Sequence, residues 1–242
     1  MAHHDRPSQP PLAASFGRTR WSIIATMRDE PANGEALTVL ARQYWFPVYA
    51  CVRRQGHEAP AAFALVAGFF AALAVRLRRD PPARERRFRH YLIERLQEYL
   101  AAGSRVSTDT VTAPFPQDEL ERRFAALGKV THDPYAAFDR DYADELLAQA
   151  LRRLGAEARQ GGHTALFESL LPLLSVDPAP GQLDAIARAS GGQPLAVATA
   201  LKRLRQRFRE LIDEELARTV DDEAALREER HALLAALTRG SP

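Results

Sequence analysis

The segment from Leu183 to Ile212 places the strongest constraint on the fold, because it joins a glycine turn to a long amphipathic helix. Gly191 and Gly192 permit the left-handed backbone of a tight turn, and Pro194 suits the first turn of a new helix. An apolar stripe then follows at helical spacing, formed by Val197, Leu201, Leu204, Phe208 and Leu211. The pattern predicts a helix-turn-helix, with an ordinary basic amphipathic helix as the alternative.

The side of this helix that lies opposite the stripe is cationic. It carries Lys202, Arg205 and Arg209, with Arg203 and Arg207 on its other shoulder. A helix with one dry face and one cationic face can lie in the major groove of DNA, where arginines bind phosphates. Only Gln193, Thr199 and Lys202 offer hydrogen bonds to base edges. We therefore expect a DNA-binding surface with high affinity for phosphates and low selectivity for base sequence.

Net charge and hydropathy bear on whether the protein binds nucleic acid or crosses a membrane. The 33 Lys and Arg against 31 Asp and Glu give a net charge of +2, which by itself does not imply nucleic acid, but the basic residues are clustered. Ala59 to Val75 has no charged residue and is close to the shortest membrane span, about 17 residues. Its alanines, Pro60 and Gly68 favour a helix buried in a bundle, so no membrane contact is expected.

Strand signals are nearly absent, and apolar spacing predicts an all-α fold with two helical domains joined by a flexible linker. Residues 1–15 are polar and proline-rich and are expected to be disordered, and a first short helix is expected from Trp21 to Met27. The predicted parts are an N-terminal domain over 16–102, a linker with a short helix over 103–138, a helix-turn-helix domain over 139–212, and a C-terminal helical extension over 213–242. The extension is expected to pack over the helix-turn-helix and to mask its arginines.

Several short motifs follow one another along the chain. They are Thr19-Arg20-Trp21-Ser22, Tyr44-Trp45-Phe46-Pro47-Val48-Tyr49, Val52-Arg53-Arg54-Gln55-Gly56-His57, Gly68-Phe69-Phe70-Ala71, Arg87-Phe88-Arg89, Ala165-Leu166-Phe167-Glu168 and Glu215-Leu216-Ala217-Arg218-Thr219-Val220. With the predicted helix-turn-helix, this order resembles that of extracytoplasmic-function sigma factors of bacterial RNA polymerase. It is most similar to a subgroup with an extended C-terminal tail, and the resemblance runs from about Phe16 to Leu237.

The resemblance implies two partners. The N-terminal domain would bind the β′ clamp helices of core RNA polymerase and open the minus-ten element of promoter DNA, and the C-terminal domain would bind the minus-thirty-five element. The polymerase-binding positions would be Ala64, Leu65, Ala67, Gly68 and Phe69. Arg86, Arg87 and Arg89 would contact phosphates, and the rings of His90 and Tyr91 would meet unpaired bases.

The sequence departs from the family in the polymerase-binding helix. Ala64 and Ala67 stand where the family carries an acidic residue and a glutamine, and Gly68 replaces a glutamate. Each lost charge-assisted hydrogen bond removes about 1.5–3 kcal/mol. Two alternatives therefore stay open: a DNA-binding regulator that does not bind polymerase, and a protein-interaction module whose alanine-rich helix binds another partner.

Residue types that carry catalysis or bind metals do not come together in the sequence. The seven histidines are scattered, and the acidic run from Asp139 to Glu145 suits the start of a helix better than a metal site. We expect no catalytic residues, no metal and no cofactor. Cys51, the one cysteine, fits a reducing cytoplasm. The expected partners are core RNA polymerase, promoter DNA and a regulatory protein.

Overall fold

The computed structural model describes residues 34–80, 87–103, 111–127, 133–135, 137–218, 220 and 222–238, and every regular element in these ranges is helical. The α-helices are α1 (Gly34–Arg54), α2 (Ala59–Arg79), α3 (Phe88–Ala101), α4 (Gln117–Ala126), α5 (Phe138–Gln160), α6 (Thr164–Leu170), α7 (Gln182–Ser190), α8 (Pro194–Ala217) and α9 (Glu223–Thr238). A 3-10 turn covers Leu171–Leu173. The predicted all-α fold is confirmed, whereas the predicted tail over 1–15 and helix from Trp21 to Met27 lie outside the described residues.

The chain divides into two compact units, and the division differs from the predicted one. Unit 1 comprises Met1–Glu145 together with Leu216–Pro242, and unit 2 comprises Leu146–Glu215. The short helix predicted within the linker is observed as α4, and it packs on α1 and α2 in unit 1. The C-terminal extension from Leu216 onwards also belongs to unit 1. Both boundaries fall inside helices, where no change in composition marks them.

Aromatic stacking fills the core of unit 1. The ring of Trp45 on α1 stacks on Phe70 of α2 with centroids 4.9 Å apart, and Tyr44 stacks on Tyr142 of α5 with centroids 5.2 Å apart. All four side chains are at most 1 % exposed. Stacked aromatic pairs add stability beyond the area that they bury, and these two pairs join α1 to α2 and to α5.

Helix α2 contains the uncharged segment that begins at Ala59. In the described part of the chain it is the one helix long and apolar enough to cross a membrane, and 50 % of its most apolar window is buried. It packs on α1, α3 and α4, as expected for a helix in a bundle. Its buried residues include Val66, Phe69 and Phe70.

The acidic start of α5 collects arginines from three other helices of unit 1. Arg54 of α1 binds Asp141 with both terminal nitrogens, and Arg123 of α4 binds Glu145. The Nε atom of Arg89 on α3 lies 2.8 Å from Asp139. Asp141 and Glu145 are only 1 % exposed, so their charges depend on these partners. The acidic run therefore forms ion pairs that hold the unit together.

Replacement of Phe70 with alanine tests the contribution of the stacked core. We expect Phe70→Ala to lower the free energy of unfolding by about 3–5 kcal/mol, because it leaves a cavity and removes the contact with Trp45. Val75→Ala is the matched control on the same helix, since Val75 is 49 % exposed; its effect should stay within about 0.5 kcal/mol. Urea unfolding measures both, and equal losses in the two variants would contradict the assignment.

Candidate nucleic-acid interface

A three-residue turn joins α7 to α8 in unit 2. Helix α7 ends at Ser190 and is capped by Gly191, whose φ of +68° lies in the left-handed region that glycine adopts without strain. The amide of Gly192 donates to the carbonyl oxygen of Ala187 at 2.9 Å, which closes the helix end. Gln193 then precedes α8, and its carbonyl oxygen accepts a hydrogen bond from the amide of Val197 at 3.1 Å. Hydrogen bonds therefore fix the backbone at both ends of the turn that joins the two helices.

The apolar stripe of α8 lies in the core of unit 2. Val197 and Leu201 pack in a buried cluster with Ala187 of α7 and with Leu170 and Leu173. Further along α8, Leu211 packs with Ala150 and Leu154 of α5, and Phe208 packs against this second cluster. Burial of the stripe at both ends fixes which face of α8 points to solvent.

The outward face of α8 includes six exposed residues, most of them three or four positions apart and two of them adjacent. They are Leu195, Thr199, Lys202, Arg203, Gln206 and Arg209, and we call them the α8 outer face. Lys202 and Arg203 form no ion pair with another described residue, so their charges are directed to solvent. Gln193, before the helix, is also exposed. Of the five cations predicted to form a basic surface on α8, Lys202, Arg203 and Arg209 are exposed.

Arg205 was predicted to bind phosphate, but in the structure it donates hydrogen bonds to backbone carbonyl oxygens of its own unit. Its Nε and one terminal nitrogen donate to the carbonyl oxygen of Leu173 at 3.0 and 2.8 Å, and that nitrogen also donates to Val176 at 2.6 Å. The other terminal nitrogen lies 3.2 Å from Asp177. Because its donors are used on the segment that follows α6, Arg205 is removed from the predicted phosphate-binding set.

Arg207 is also removed from that set. It forms a two-pronged pair with Glu157 of α5 at 2.7 and 2.8 Å, and a further bond of 3.0 Å to Glu214. The hydrogen bonds that Arg207 donates to Glu157 raise the pKa of Arg207 above its ordinary value. A forked pair of this kind fixes the orientation of both side chains. Arg207 therefore ties α8 to α5 inside unit 2.

Fewer side chains of α8 are available for hydrogen bonds to base edges than the sequence suggests. The hydroxyl of Thr199 donates to the carbonyl oxygen of Leu195 at 2.8 Å, so it retains only acceptor capacity. Leu195 is 77 % exposed, and such a side chain can contact a thymine methyl group. Sequence reasoning missed Gln206 on the outer face and the exposed Arg188 on α7. Gln206 lies four positions after Lys202, which is the signal that marks it as a neighbour.

The structure corrects the predicted phosphate contacts of unit 1. The side chain of Arg89 is 2 % exposed and is held by Asp139 and Glu229. Arg87 is half-buried, with its Nε atom 3.4 Å from Glu229. Tyr91 is 6 % exposed, so its ring cannot meet an unpaired base, although His90 beside it is exposed. Arg86 lies outside the described residues.

The predicted polymerase-binding positions on α2 are corrected in the same way. Ala67 is 6 % and Phe69 is 2 % exposed, and Gly68 is buried with them. Side chains that pack in the core of unit 1 cannot also form an apolar docking surface. Ala64 and Leu65 are half-buried and reach the surface in part.

No protein-family model, no curated protein and no solved structure matches this chain.

Loss of Arg207 should weaken unit 2. We expect Arg207→Ala to lower the free energy of unfolding by about 1 kcal/mol, a figure that allows for solvent screening of a partly exposed pair. Arg209→Ala removes the same charge from the outer face and should change stability by less than about 0.5 kcal/mol. Urea unfolding at neutral pH compares them, and an equal or larger loss in Arg209→Ala would refute the distinction.

The cost of Arg207→Ala should depend on pH. Hydrogen bonds from Arg207 lower the pKa of Glu157 below its ordinary value of 4.5. A carboxyl group whose pKa is lowered by folding adds stability above its unfolded-state pKa, and this stability disappears as pH falls through the folded-state pKa. The difference between wild type and variant should thus be constant above about pH 5.5 and shrink below 4.5. A difference unchanged at about pH 3 would contradict this origin.

Proposed function

We propose that this chain is a cytoplasmic sigma-like transcription initiation factor, which binds core RNA polymerase and directs it to promoter DNA. The observation that carries the proposal is the α8 outer face, which follows a tight turn and lies opposite a stripe anchored in the core. An anchored helix presents its side chains at fixed spacing, as insertion into the major groove requires.

Phosphate binding would rest on three cations of the outer face. Lys202, Arg203 and Arg209 are all exposed, and the first two are in no ion pair with a described residue. Each cation that neutralises a DNA phosphate releases condensed counterions, which supplies affinity without regard to sequence. Arg188 on α7 adds a fourth exposed cation in the same unit. Binding through this face would weaken steeply with salt.

Sequence selection would need more than α8. The outer face offers few groups that read base edges, since Thr199 is engaged with Leu195 and Gln206 donates to Glu210 at 3.1 Å. A weak DNA-binding module gains selectivity when a second attachment raises its effective concentration at the site. Core RNA polymerase supplies such an attachment in the proposed role. The surface left for it on α2 includes Ala64, Leu65 and the exposed Val75.

A DNA-binding regulator that acts without polymerase is the second candidate. The burial of Ala67, Gly68 and Phe69 favours it, because these residues were expected to form the docking surface. Such a regulator would rely on the same α8 outer face.

Gel filtration of the full chain with bacterial core RNA polymerase separates the candidates. Co-elution at micromolar concentration supports the sigma role. DNA binding without co-elution supports the regulator, and failure to bind either partner would favour a protein-interaction module and overturn the proposal.

Neutral substitutions on the outer face should weaken DNA binding and its salt dependence. We expect Arg203→Ala or Arg209→Ala to reduce the slope of log affinity against log salt by about 0.9, which corresponds to about eightfold weaker binding at about 0.1 M salt. Arg159→Ala is the matched control, because Arg159 is an exposed arginine of unit 2 at the end of α5. Fluorescence anisotropy with labelled duplex DNA measures all three. Equal losses in Arg159→Ala and Arg203→Ala would contradict the assigned face.

A further inference from the structure

Helix α9 places a buried carboxylate against the arginines at the start of α3. Glu229 is 3 % exposed and binds Arg89, whose side chain is 2 % exposed. The other carboxylate oxygen of Glu229 lies 3.4 Å from the Nε atom of Arg87. One side chain of the C-terminal extension therefore contacts both described arginines that the sequence suggested as phosphate contacts. The extension was expected to mask α8, but these ion pairs are with α3.

Glu229 is unusual for its position on α9. The other residues on the buried face of this helix are apolar, namely Leu226, Leu233 and Ala236. A carboxylate in such a row is costly unless a cation neutralises it, and here Arg89 does so. Burial opposes the charge on Arg89, but Glu229 and Asp139 more than offset this and raise its pKa above the ordinary value. The two side chains thus depend on each other.

A carboxylate and a phosphate present similar acceptors to a guanidinium group. Both carry negative charge on oxygens that can accept two parallel hydrogen bonds from arginine. Glu229 therefore occupies the donors that a nucleic-acid phosphate would use on α3. As long as α9 is in place, Arg89 has no donor facing solvent, and Arg87 is partly engaged.

We propose that α9 is an intramolecular competitor that keeps nucleic-acid phosphates off the start of α3. With α9 docked, the protein binds DNA through the α8 outer face alone. When α9 is released, Arg87 and Arg89 become accessible and add a second set of phosphate contacts. This inference rests on the proposed DNA-binding function and names its regulation.

Glu229→Gln tests the competition in the full chain. The substitution keeps the size of the side chain and removes the charge that holds Arg89. The affinity for a short labelled single-stranded DNA should rise at least about fivefold, with a salt slope steeper by about 0.7–1.4 for one or two added phosphate contacts. Glu223→Gln is the matched control: it makes the same charge change at an exposed position of α9 and should leave affinity unchanged. Adding Arg89→Gln to Glu229→Gln should cancel the gain.

Hydrogen exchange of the wild-type protein keeps the proposal testable if Glu229→Gln fails to fold. Single-stranded DNA at concentrations well above those that fill the α8 outer face should compete with Glu229 for Arg89 and speed amide exchange across residues 223–238. Unchanged protection of α9 at these concentrations would overturn the proposal.

The DNA-binding measurements separate failure of the competition by α9 from failure of the proposed function. If wild type and Glu229→Gln bind DNA equally and both lose affinity on Arg203→Ala, α9 is a structural element only, and the proposed function stands. If no variant binds DNA in any form, this inference fails, and co-elution with core RNA polymerase still decides the proposed function.

Discussion

The arginine–carboxylate pairs at the start of α5 are the interaction on which unit 1 depends. Asp139, Asp141 and Glu145 bind arginines from α3, α1 and α4, so one helical turn and a half joins three helices. Burial alone would raise the pKa of Asp139, but His90 and Arg89 lower it to about 2, so this carboxyl group stays charged at neutral pH. Removal of one partner from a buried pair costs about 3–5 kcal/mol, because a buried charge is left uncompensated. The arginines in these pairs therefore stabilise the packing of α1, α3 and α4 on α5.

The same separation of roles in unit 2 defines the functional surface. Of the five cations on α8, Arg205 and Arg207 are held by carbonyl and carboxylate oxygens of their own unit. The remaining three point away from the core. In the proposed function, a surface of this size would supply phosphate affinity and little sequence selectivity, which is why that function includes a second attachment through polymerase. The proposed role of α9, which holds Arg87 and Arg89, is consistent with this division, because it would limit DNA contact to unit 2.

Local features were predictable from the sequence, and tertiary partners were not. Helical spacing correctly placed Val197, Leu201 and Leu211 in the core, and the short helix predicted from Asp118 to Leu127 is observed over Gln117–Ala126. The partners of Arg205 and Arg207 lie about 30 and 50 residues away along the chain, at distances where spacing carries no information. Helix α2 is apolar on most of its surface, so its buried face could not be assigned from periodicity. The place of α9 depends on Glu229, whose buried partner is 140 residues away.

Hydroxyl-radical footprinting of the full chain with duplex DNA tests the central claim most directly. Leu195 is the most suitable reporter, because it is readily oxidised when exposed, is 77 % exposed and lies on the α8 outer face. Val39 and Val75, at 47 % and 49 % exposed in unit 1, serve as internal controls. The account predicts that bound DNA protects Leu195 from oxidation and leaves both valines unchanged. Oxidation of Leu195 that continues undiminished while DNA is bound would show that the interface lies elsewhere.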